Sequence, residues 1–198
     1  MVLGITGCPG SGKSLLARSI AETGWEIIDA DVLGREVVEG SAVVLSELAA
    51  VFGGDILDGD GSLRRRVLAE RAFSEDGGIA RLNDIVHPRL ISRVCGLIDG
   101  VKSRGGRCVV DCALIFEWNI GDRFDLVVCV SADSKIRKLR LMERDGRSGR
   151  EIEGMFAAQL PELEKMRRSD MTIRNEHTAG RLRFFGKMLG GLADYEEG

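Results

Sequence analysis

Apolar positions along this chain follow two patterns. Short apolar runs, each ended by Gly, Asp or another polar residue, occupy positions 2–6, 24–31, 107–112, 124–131 and 170–175. Segments of helical composition separate them, as at 13–22, where Leu15, Leu16 and Ile20 recur at helical spacing. Strands that alternate with helices predict a five-stranded parallel sheet covered on both faces, an α/β fold with three layers.

The second pattern occupies the long segment between the second and third predicted strands. Positions 32–106 carry helical rather than strand-like patterning, and they predict a mostly helical insert, in which Pro88 follows His87 where a new helix could start. The stretch 143–154 is rich in Arg and Gly and predicts a lid, taken as 143–167. We treat the chain as a single domain, whose core then consists of 1–31, 107–142 and 168–198. The last segment of this core predicts a helix with Leu182, Phe185, Leu189 and Leu192 on one face.

Composition, hydropathy and charge indicate which broad class of protein this chain belongs to. The chain has 198 residues, 44% hydrophobic and 30% charged, which is typical of one globular domain. No apolar run reaches the roughly 20 residues of a membrane span, and no signal-peptide pattern begins the chain, so we expect a cytoplasmic protein without a membrane partner. A net charge of -3 provides no general electrostatic attraction for nucleic acid. Five cysteines without a CxxC pair predict reduced thiols.

The clearest motif lies next to the N-terminus. Gly7-Cys8-Pro9-Gly10-Ser11-Gly12-Lys13-Ser14 matches the GxxxxGK[ST] phosphate-binding loop, in which backbone N–H groups and a helix N-terminus surround phosphate oxygens. Lys13 is expected to reach the β- and γ-phosphates, and the Ser14 hydroxyl is expected to ligate Mg²⁺. The predicted ATP contacts in this region are Gly7, Cys8, Gly10, Ser11, Gly12, Lys13, Ser14 and Leu15.

The remaining residues favour a small-molecule kinase among phosphate-loop proteins. The Asn-Lys-x-Asp motif that reads guanine is absent, and so is a Ser-Gly-Gly signature of transporter ATPases. Asp29 and Asp31 close the second predicted strand, at the sheet edge where such folds bind ligands, and two residues apart they would share a strand face. Asp31 is therefore a candidate catalytic carboxylate, and the alternative is a helix cap.

Beyond the loop, an ordered series of motifs resembles the dephospho-coenzyme A kinase family, and the resemblance extends to about Asn175. The matching stretches read "IDADVLGREVV", "FGGDIL", "GSLRRRVLAERAF", "IVHPRL", "VDCALIFE", "LRLMERDG" and "AAQLPELEK". The resemblance implies that ATP phosphorylates the ribose 3′-hydroxyl of dephospho-coenzyme A, giving coenzyme A and ADP in the last step of coenzyme A biosynthesis. It also implies a phosphate-loop kinase fold with an acceptor-binding helical insert, a lid and Mg²⁺.

The same resemblance assigns roles to individual residues. Asp31 matches the carboxylate that faces the acceptor hydroxyl, and Arg140 matches an arginine near the transferred phosphoryl group, so Asp31, Lys13 and Arg140 form the expected catalytic set. Arg144 and Asn175 are expected on the ATP side. The expected acceptor contacts are Asp31, Arg35, Arg65, His87 and Glu117, and the expected metal contacts are Ser14 and Asp111.

Other interpretations of these residues stay open from the sequence. Arg140 and Arg144 could form a solvated helix face, His87 could begin a helix, and Asp111 could accept a hydrogen bond from a loop amide. The protein could instead phosphorylate a nucleoside monophosphate or another small acceptor, or act as an ATP-binding switch for a partner protein. Cys8 raises the alternative of a redox-sensitive thiol beside the phosphates. We expect a monomer or a small homo-oligomer.

Overall fold

The computed structural model describes residues 1–146, 148–176 and 179–192. Position 147 of the predicted lid and positions 177, 178 and 193–198 of the predicted core lie outside these ranges. Within the described ranges, no helix combines the length and the apolar character needed to cross a membrane.

A five-stranded parallel sheet forms the centre of the fold, with spatial order β2-β3-β1-β4-β5. The strands are β1 (Val2–Thr6), β2 (Glu26–Asp29), β3 (Cys108–Asp111), β4 (Leu126–Ser131) and β5 (Met171–Arg174). Each lies within its predicted apolar run, and the α/β prediction is confirmed. Because β1 pairs with β3 on one side and β4 on the other, the phosphate-loop motif emerges from the central strand.

The strand register brings several polar residues to one edge of the sheet. Asp29 at the end of β2 is paired with Asp111 at the end of β3, and Asp111 is in turn paired with Ile5 of β1. Since all strands are parallel, their carboxyl ends share one edge, which is where α/β folds bind ligands.

Helices fill the intervals between the strands. They are α1 (Lys13–Ala21), α2 (Ala30–Glu39), α3 (Ala42–Phe52), α4 (Arg65–Ser74), α5 (Gly78–Ser103), α6 (Ser134–Asp145), α7 (Gly149–Ala157), α8 (Glu162–Arg168) and α9 (Ala179–Leu192). The expected helix start at Pro88 is wrong, because α5 continues through it. Pro88 lacks the N–H that would bond to Asp84 O in a regular helix. In the same turn, the Arg89 guanidinium donates to Ile85 O at 2.8 Å.

The chain divides into two compact units, Met1–Asp29 with Cys95–Gly198 and Ala30–Val94. In the first unit, α1 and α9 pack together and cover one face of the sheet. Their buried core consists of Leu3, Ile5, Leu16, Ala17, Ile20, Trp25, Val109, Val128, Val130, Ile173, Leu182 and Leu189. Burying an aliphatic side chain of this kind contributes roughly 1.5–3 kcal/mol, so the cluster fixes the strand from which the loop emerges.

The second unit is helical and has its own core, formed by Val38, Val44, Leu48, Phe52, Ile56, Leu68 and Ala72. The Ser41 hydroxyl accepts a hydrogen bond from Val44 N and caps α3. The unit spans Ala30–Val94, whereas the sequence predicted an insert over 32–106. At the C-terminal side the boundary at Val94 lies inside α5, so the last part of that helix, up to Ser103, belongs to the first unit.

The structure corrects one expectation about the aspartate pair. β2 ends at Asp29, and Asp31 lies in the first turn of α2 rather than on the strand. The two carboxylates therefore do not share a strand face. A carboxylate in the first turn interacts favourably with the positive end of the helix dipole, which gives Asp31 a local structural role as well.

Candidate active site

The phosphate-binding motif forms a loop whose backbone requires glycine at defined points. Gly7 and Gly12 have φ of 138° and 105°. A β-carbon on Gly7 would overlap with Val130 O of the neighbouring strand, and one on Gly12 would overlap with Asn175 Nδ2. These two residues allow the loop to lie directly against the carboxyl ends of β4 and β5.

Helix α1 starts directly after the loop. Gly12 is its N-cap, in the left-handed conformation and without a side-chain cap, and the first turn contains no acidic residue. The Lys13 ammonium donates to Cys8 O at 3.4 Å and so lies along the loop. Lys13, Ser14 and Leu15 form the first turn of α1, where the positive end of the helix dipole favours an anion.

A buried hydroxyl marks the interior of the loop. Ser11 is fully buried, and its Oγ has no hydrogen-bond partner among the described residues. Its N–H donates to Cys8 O at 3.2 Å. A buried polar atom without a partner costs about 1–3 kcal/mol, which favours a ligand or water that supplies the missing bond.

Arg140 and Asn175 hold the loop from the side of α6 and β5. The Arg140 guanidinium donates to Gly10 O at 3.3 Å and to Asn175 O at 2.9 Å, and it lies 3.5 Å from Ser11 O. The Asn175 amide donates to Ser11 O at 2.7 Å. The structure thus brings these two predicted residues together on the loop backbone.

Arg144 lies one helical turn beyond Arg140 on α6. Its side chain is exposed, and its Nε donates to Asp145 Oδ1 at 2.7 Å. Its Nη2 donates to Asp145 Oδ2 at 2.8 Å. Its predicted ATP contact stays a prediction.

The carboxylate of Asp111 closes β3, next to the strand that leads into the loop. Asp111 is 7% exposed. Together with the Ser14 hydroxyl at the start of α1, it offers hard oxygen donors, the ligand type that Mg²⁺ prefers. The described residues contain no group of three or more acidic, His or Cys side chains arranged around a metal site. This is compatible with Mg²⁺, which binds few protein ligands and completes its shell with phosphate oxygens and water.

Glu117, predicted to contact the acceptor, lies in a network of buried polar groups. Its Oε1 is 2.8 Å from the Lys165 ammonium and accepts from Leu160 N at 2.9 Å. Its Oε2 is buried without a hydrogen-bond partner among the described residues. Sequence reasoning missed Lys165, because a lysine among the charged residues of "ELEKMRR" resembles an ordinary exposed helix position.

Arg137 is a second buried cation that the sequence analysis did not identify. Its Nε donates to Ala132 O at 3.0 Å and lies 3.5 Å from Glu162 Oε1. The guanidinium stacks on the Phe156 ring with 4.5 Å to the centroid. Its Nη1 is buried without a partner among the described residues. Through Phe156 of α7, Glu162 of α8 and Ala132 O after β4, Arg137 therefore connects these two helices to the carboxyl end of β4.

Cys8 is buried within the loop. Burial raises the pKa of its thiol, and the positive charges of Arg137 and Lys165 offset this effect only in part. The Sγ lies 4.0 Å from Leu160 O. A raised pKa leaves little thiolate at neutral pH, so the structure argues against the redox-sensor alternative.

The predicted acceptor residues other than Glu117 belong to the Ala30–Val94 unit. Asp31 and Arg35 lie one turn apart on α2 and are both exposed, whereas the Arg65 Nε donates to Glu39 Oε1 at 2.9 Å. His87 is half-buried in α5, and burial lowers the pKa of its imidazole, partly opposed by the carboxylate of Asp84. The neutral imidazole is therefore favoured at physiological pH.

Comparisons with known proteins identify the family. A sequence model described as dephospho-CoA kinase matches residues 1–180. A dephospho-CoA kinase of Corynebacterium glutamicum is 36% identical over 177 residues, covering 89% of this chain and 88% of the relative.

Solved structures share the fold of this chain. The crystal structure of TT1252 from Thermus thermophilus has a TM-score of 0.76 at 28% identity, with coverage of 98% and 97%. A dephospho-CoA kinase from Campylobacter jejuni has a TM-score of 0.71 at 19% identity, covers 98% of both chains and supports the fold. The family match extends over the loop, Asp111, Arg140 and Asn175. This chain belongs to the dephospho-CoA kinase family.

Proposed function

We propose that this protein transfers the γ-phosphoryl group of ATP to the ribose 3′-hydroxyl of dephospho-coenzyme A, giving coenzyme A and ADP. This reaction is the last step of coenzyme A biosynthesis. The observation that carries the proposal is the family match over residues 1–180. The loop geometry supports it, because the glycine conformations and the start of α1 without a side-chain cap suit a bound phosphate. The Ser11 Oγ, which has no hydrogen-bond partner within the described residues, suits it as well.

On the ATP side, the loop residues and the first turn of α1 bind the phosphates. Lys13 exchanges its bond to Cys8 O for phosphate oxygens, and Arg140 supplies a second cation while it holds the loop through Gly10 O. Phosphoryl transfer needs alignment and positive charge around a transition state with dispersed negative charge. Asn175 keeps the loop in place through Ser11 O, and Arg144 contacts ATP from the far end of α6.

Ser14 and Asp111 would hold Mg²⁺. Their hydroxyl and carboxylate oxygens fit this ion, and the burial of Asp111 keeps its carboxylate at the edge of the sheet. When bound, Mg²⁺ neutralises charge on the β- and γ-phosphates. The chain contributes the position of the two oxygens through the end of β3 and the start of α1.

On the acceptor side, we assign the helical segment 32–106 to binding dephospho-coenzyme A and 143–167 to a lid that excludes water. Asp31 orients the ribose hydroxyl and accepts its proton as the new bond forms, a task that needs no unusually basic carboxylate. Arg35, Arg65 and His87 bind the acceptor, with Arg65 exchanging its partner Glu39 for an acceptor anion. Glu117 contributes from the loop after β3. We place the enzyme in the cytoplasm as a monomer or small homo-oligomer.

The direct test is an acceptor assay. Purified protein with Mg²⁺ and ATP should convert dephospho-coenzyme A into coenzyme A, which chromatography and mass spectrometry separate from the substrate. Parallel reactions with nucleoside monophosphates and with no acceptor measure competing activities. Product from a nucleoside monophosphate alone, or ADP release that no acceptor changes, would contradict the proposal.

A further inference from the structure

Lys165 is a charged side chain without any exposed surface. Its ammonium group donates to Ala113 O and to Gln159 Oε1 at 3.1 Å, and it forms an ion pair with Glu117 Oε1 at 2.8 Å. Three oxygens therefore surround a group that has three donor hydrogens. A buried charge is tolerated only when it is paired and hydrogen-bonded, and this set of oxygens therefore forms a site built for a lysine.

The three acceptors come from two different parts of the chain. Ala113 and Glu117 belong to the loop that follows β3, and Gln159 belongs to the connection between α7 and α8. Leu160 N, in that connection, also donates to Glu117 Oε1 at 2.9 Å. Lys165 itself lies on α8. The ammonium thus joins the loop after β3 to α8 and to the segment before it.

The same carbonyl links the network to the phosphate-binding loop. Thr6, the last residue of β1, donates from Oγ1 to Ala113 O at 3.1 Å, and Cys112 N donates to Ile5 O at 3.0 Å. The backbone between Asp111 and Ala113 is therefore fixed on one side by β1 and on the other by Lys165. The charge of Lys165 also acts on Cys8, where it opposes the effect of burial on the thiol pKa.

We propose that Lys165 is a positioning residue for the Mg²⁺–nucleotide complex, and that it acts by holding the backbone directly after Asp111 through Ala113 O. It touches neither ATP nor the acceptor. Its role is to fix the direction in which the chain leaves β3, and hence the direction of the Asp111 carboxylate. The inference rests on the proposed assignment of Asp111 as a metal contact.

Three variants separate this role from simple stabilisation. Lys165→Met removes the ammonium and leaves Glu117 without its cation. Lys165→Met combined with Glu117→Gln removes both charges and relieves that penalty, while Ala113 O still lacks its donor. Lys165→Arg keeps the positive charge, and so the fold, but its longer planar head group displaces the Ala113 carbonyl. Lys187→Met is the matched control, because Lys187 is exposed and lies 3.7 Å from Glu22.

The measurements use metal and nucleotide without any acceptor. Electron paramagnetic resonance of free Mn²⁺ gives the metal affinity of the enzyme–ADP complex, and calorimetry in EDTA gives the affinity for metal-free ADP. Outer-shell substitutions typically weaken metal binding by about 10–100-fold, and we expect at least about tenfold for each Lys165 variant that folds. Metal-free ADP affinity should change by less than about threefold, which corresponds to roughly 0.7 kcal/mol.

Each outcome is decisive. Wild-type Mn²⁺ affinity in any folded Lys165 variant would overturn the proposal and leave Lys165 a stabilising ion-pair partner only. Restoration of Mn²⁺ affinity in the double variant would also overturn it, since the effect would then come from the uncompensated Glu117 charge. Because no acceptor is present, these results stand apart from the acceptor assay, and a protein that fails to phosphorylate dephospho-coenzyme A still tests Lys165.

Discussion

The side-chain amide of Asn175 donates a 2.7 Å hydrogen bond to the carbonyl oxygen of Ser11, across 164 positions of sequence. The bond joins the end of β5 to the middle of the phosphate-binding loop. It is possible only because Gly12 lacks a β-carbon, which would otherwise overlap with Asn175 Nδ2. Gly12 therefore has a spatial requirement in addition to its backbone conformation.

Two glycine substitutions test this requirement. Gly12 and Gly24 both have positive φ, 105° and 94°, but of these two only Gly12 has neighbours within 4 Å of a β-carbon in the part of the chain that the structure describes. Alanine in a left-handed conformation costs about 1–2 kcal/mol, and we expect both variants to lose this amount of unfolding free energy in urea titrations. Gly12→Ala should additionally weaken ATP binding by at least about tenfold in calorimetry, because Asn175 must move.

Gly24→Ala is the control for strain alone, and its ATP affinity should stay within about twofold of the wild type. Equal ATP affinities for the two variants would show that the approach of Asn175 to the loop has no effect on nucleotide binding.

A second prediction concerns the first turn of α2. Asp31→Asn removes the proton acceptor that we propose for the ribose hydroxyl, and general-base catalysis contributes typically about 10²–10⁴-fold. We expect kcat to fall by at least about 10²-fold while the Kd for ATP changes little. Glu36→Gln, at an exposed position on the same helix, serves as the control. A kcat of the Asp31 variant that equals the control's would remove Asp31 from the catalytic set.

A third prediction is a pH dependence of stability. Burial lowers the pKa of folded His87 below its ordinary value near 6.5, so the unfolded chain binds a proton at this position more readily than the folded chain. Folding stability should therefore fall as the pH decreases below about 6.5 and approaches the folded pKa. Urea unfolding at about pH 7.5 and about pH 5.5 measures the change, at roughly 1.4 kcal/mol per unit of pKa difference.

His87→Gln should reduce this loss of stability at acid pH. The chain has two histidines, so His177→Gln is the matched comparison. If His177→Gln reduces the loss of stability at acid pH and His87→Gln leaves it unchanged, the half-buried imidazole of His87 does not cause that loss.

The fourth prediction concerns the thiol of Cys8. Because burial raises its pKa, iodoacetamide should modify it more slowly at neutral pH than it modifies a more exposed cysteine. Mass spectrometry resolves the modification of each cysteine, and half-buried Cys95 provides an internal comparison. Activity should survive mild peroxide in the wild type and in Cys8→Ser alike. Peroxide inhibition that ATP prevents and Cys8→Ser abolishes would contradict this.

The central part of the fold was predictable because its signals are local. Buried parallel strands such as β4 are continuous apolar runs, and the glycine loop indicates a strand before it and a helix after it. Pro88 was misjudged because a proline is normally a helix boundary, whereas the long α5 accommodates it. Asp31 was placed on a strand because nothing in its neighbours reveals that β2 ends at Asp29.

The loop of the candidate site was predictable, but the residues that support it were not. The positions of Gly7, Lys13 and Ser14 between β1 and the start of α1 follow from fixed spacing within one motif. Lys165 and Arg137, in contrast, lie on helices where charged residues are usually solvated. The Lys165 ammonium is held by Ala113 O, which lies 52 positions earlier in the chain, and this contact leaves no local pattern. Arg137 bonds to the nearby Ala132 O, but nothing in the polar sequence around it indicates that the guanidinium is buried.

The order of the strands in the sheet also predicts how readily each strand exchanges its amide protons with solvent. β1 is bonded on both sides, whereas β2 and β5 are the two edge strands of the sheet. Amide protons of β1 can exchange with solvent only after a neighbouring strand has separated, so they should report the opening of the whole unit. The phosphate-binding loop is thus attached to an interior strand whose amides we expect to exchange slowly, and nucleotide binding need not be preceded by ordering of the strand that carries it.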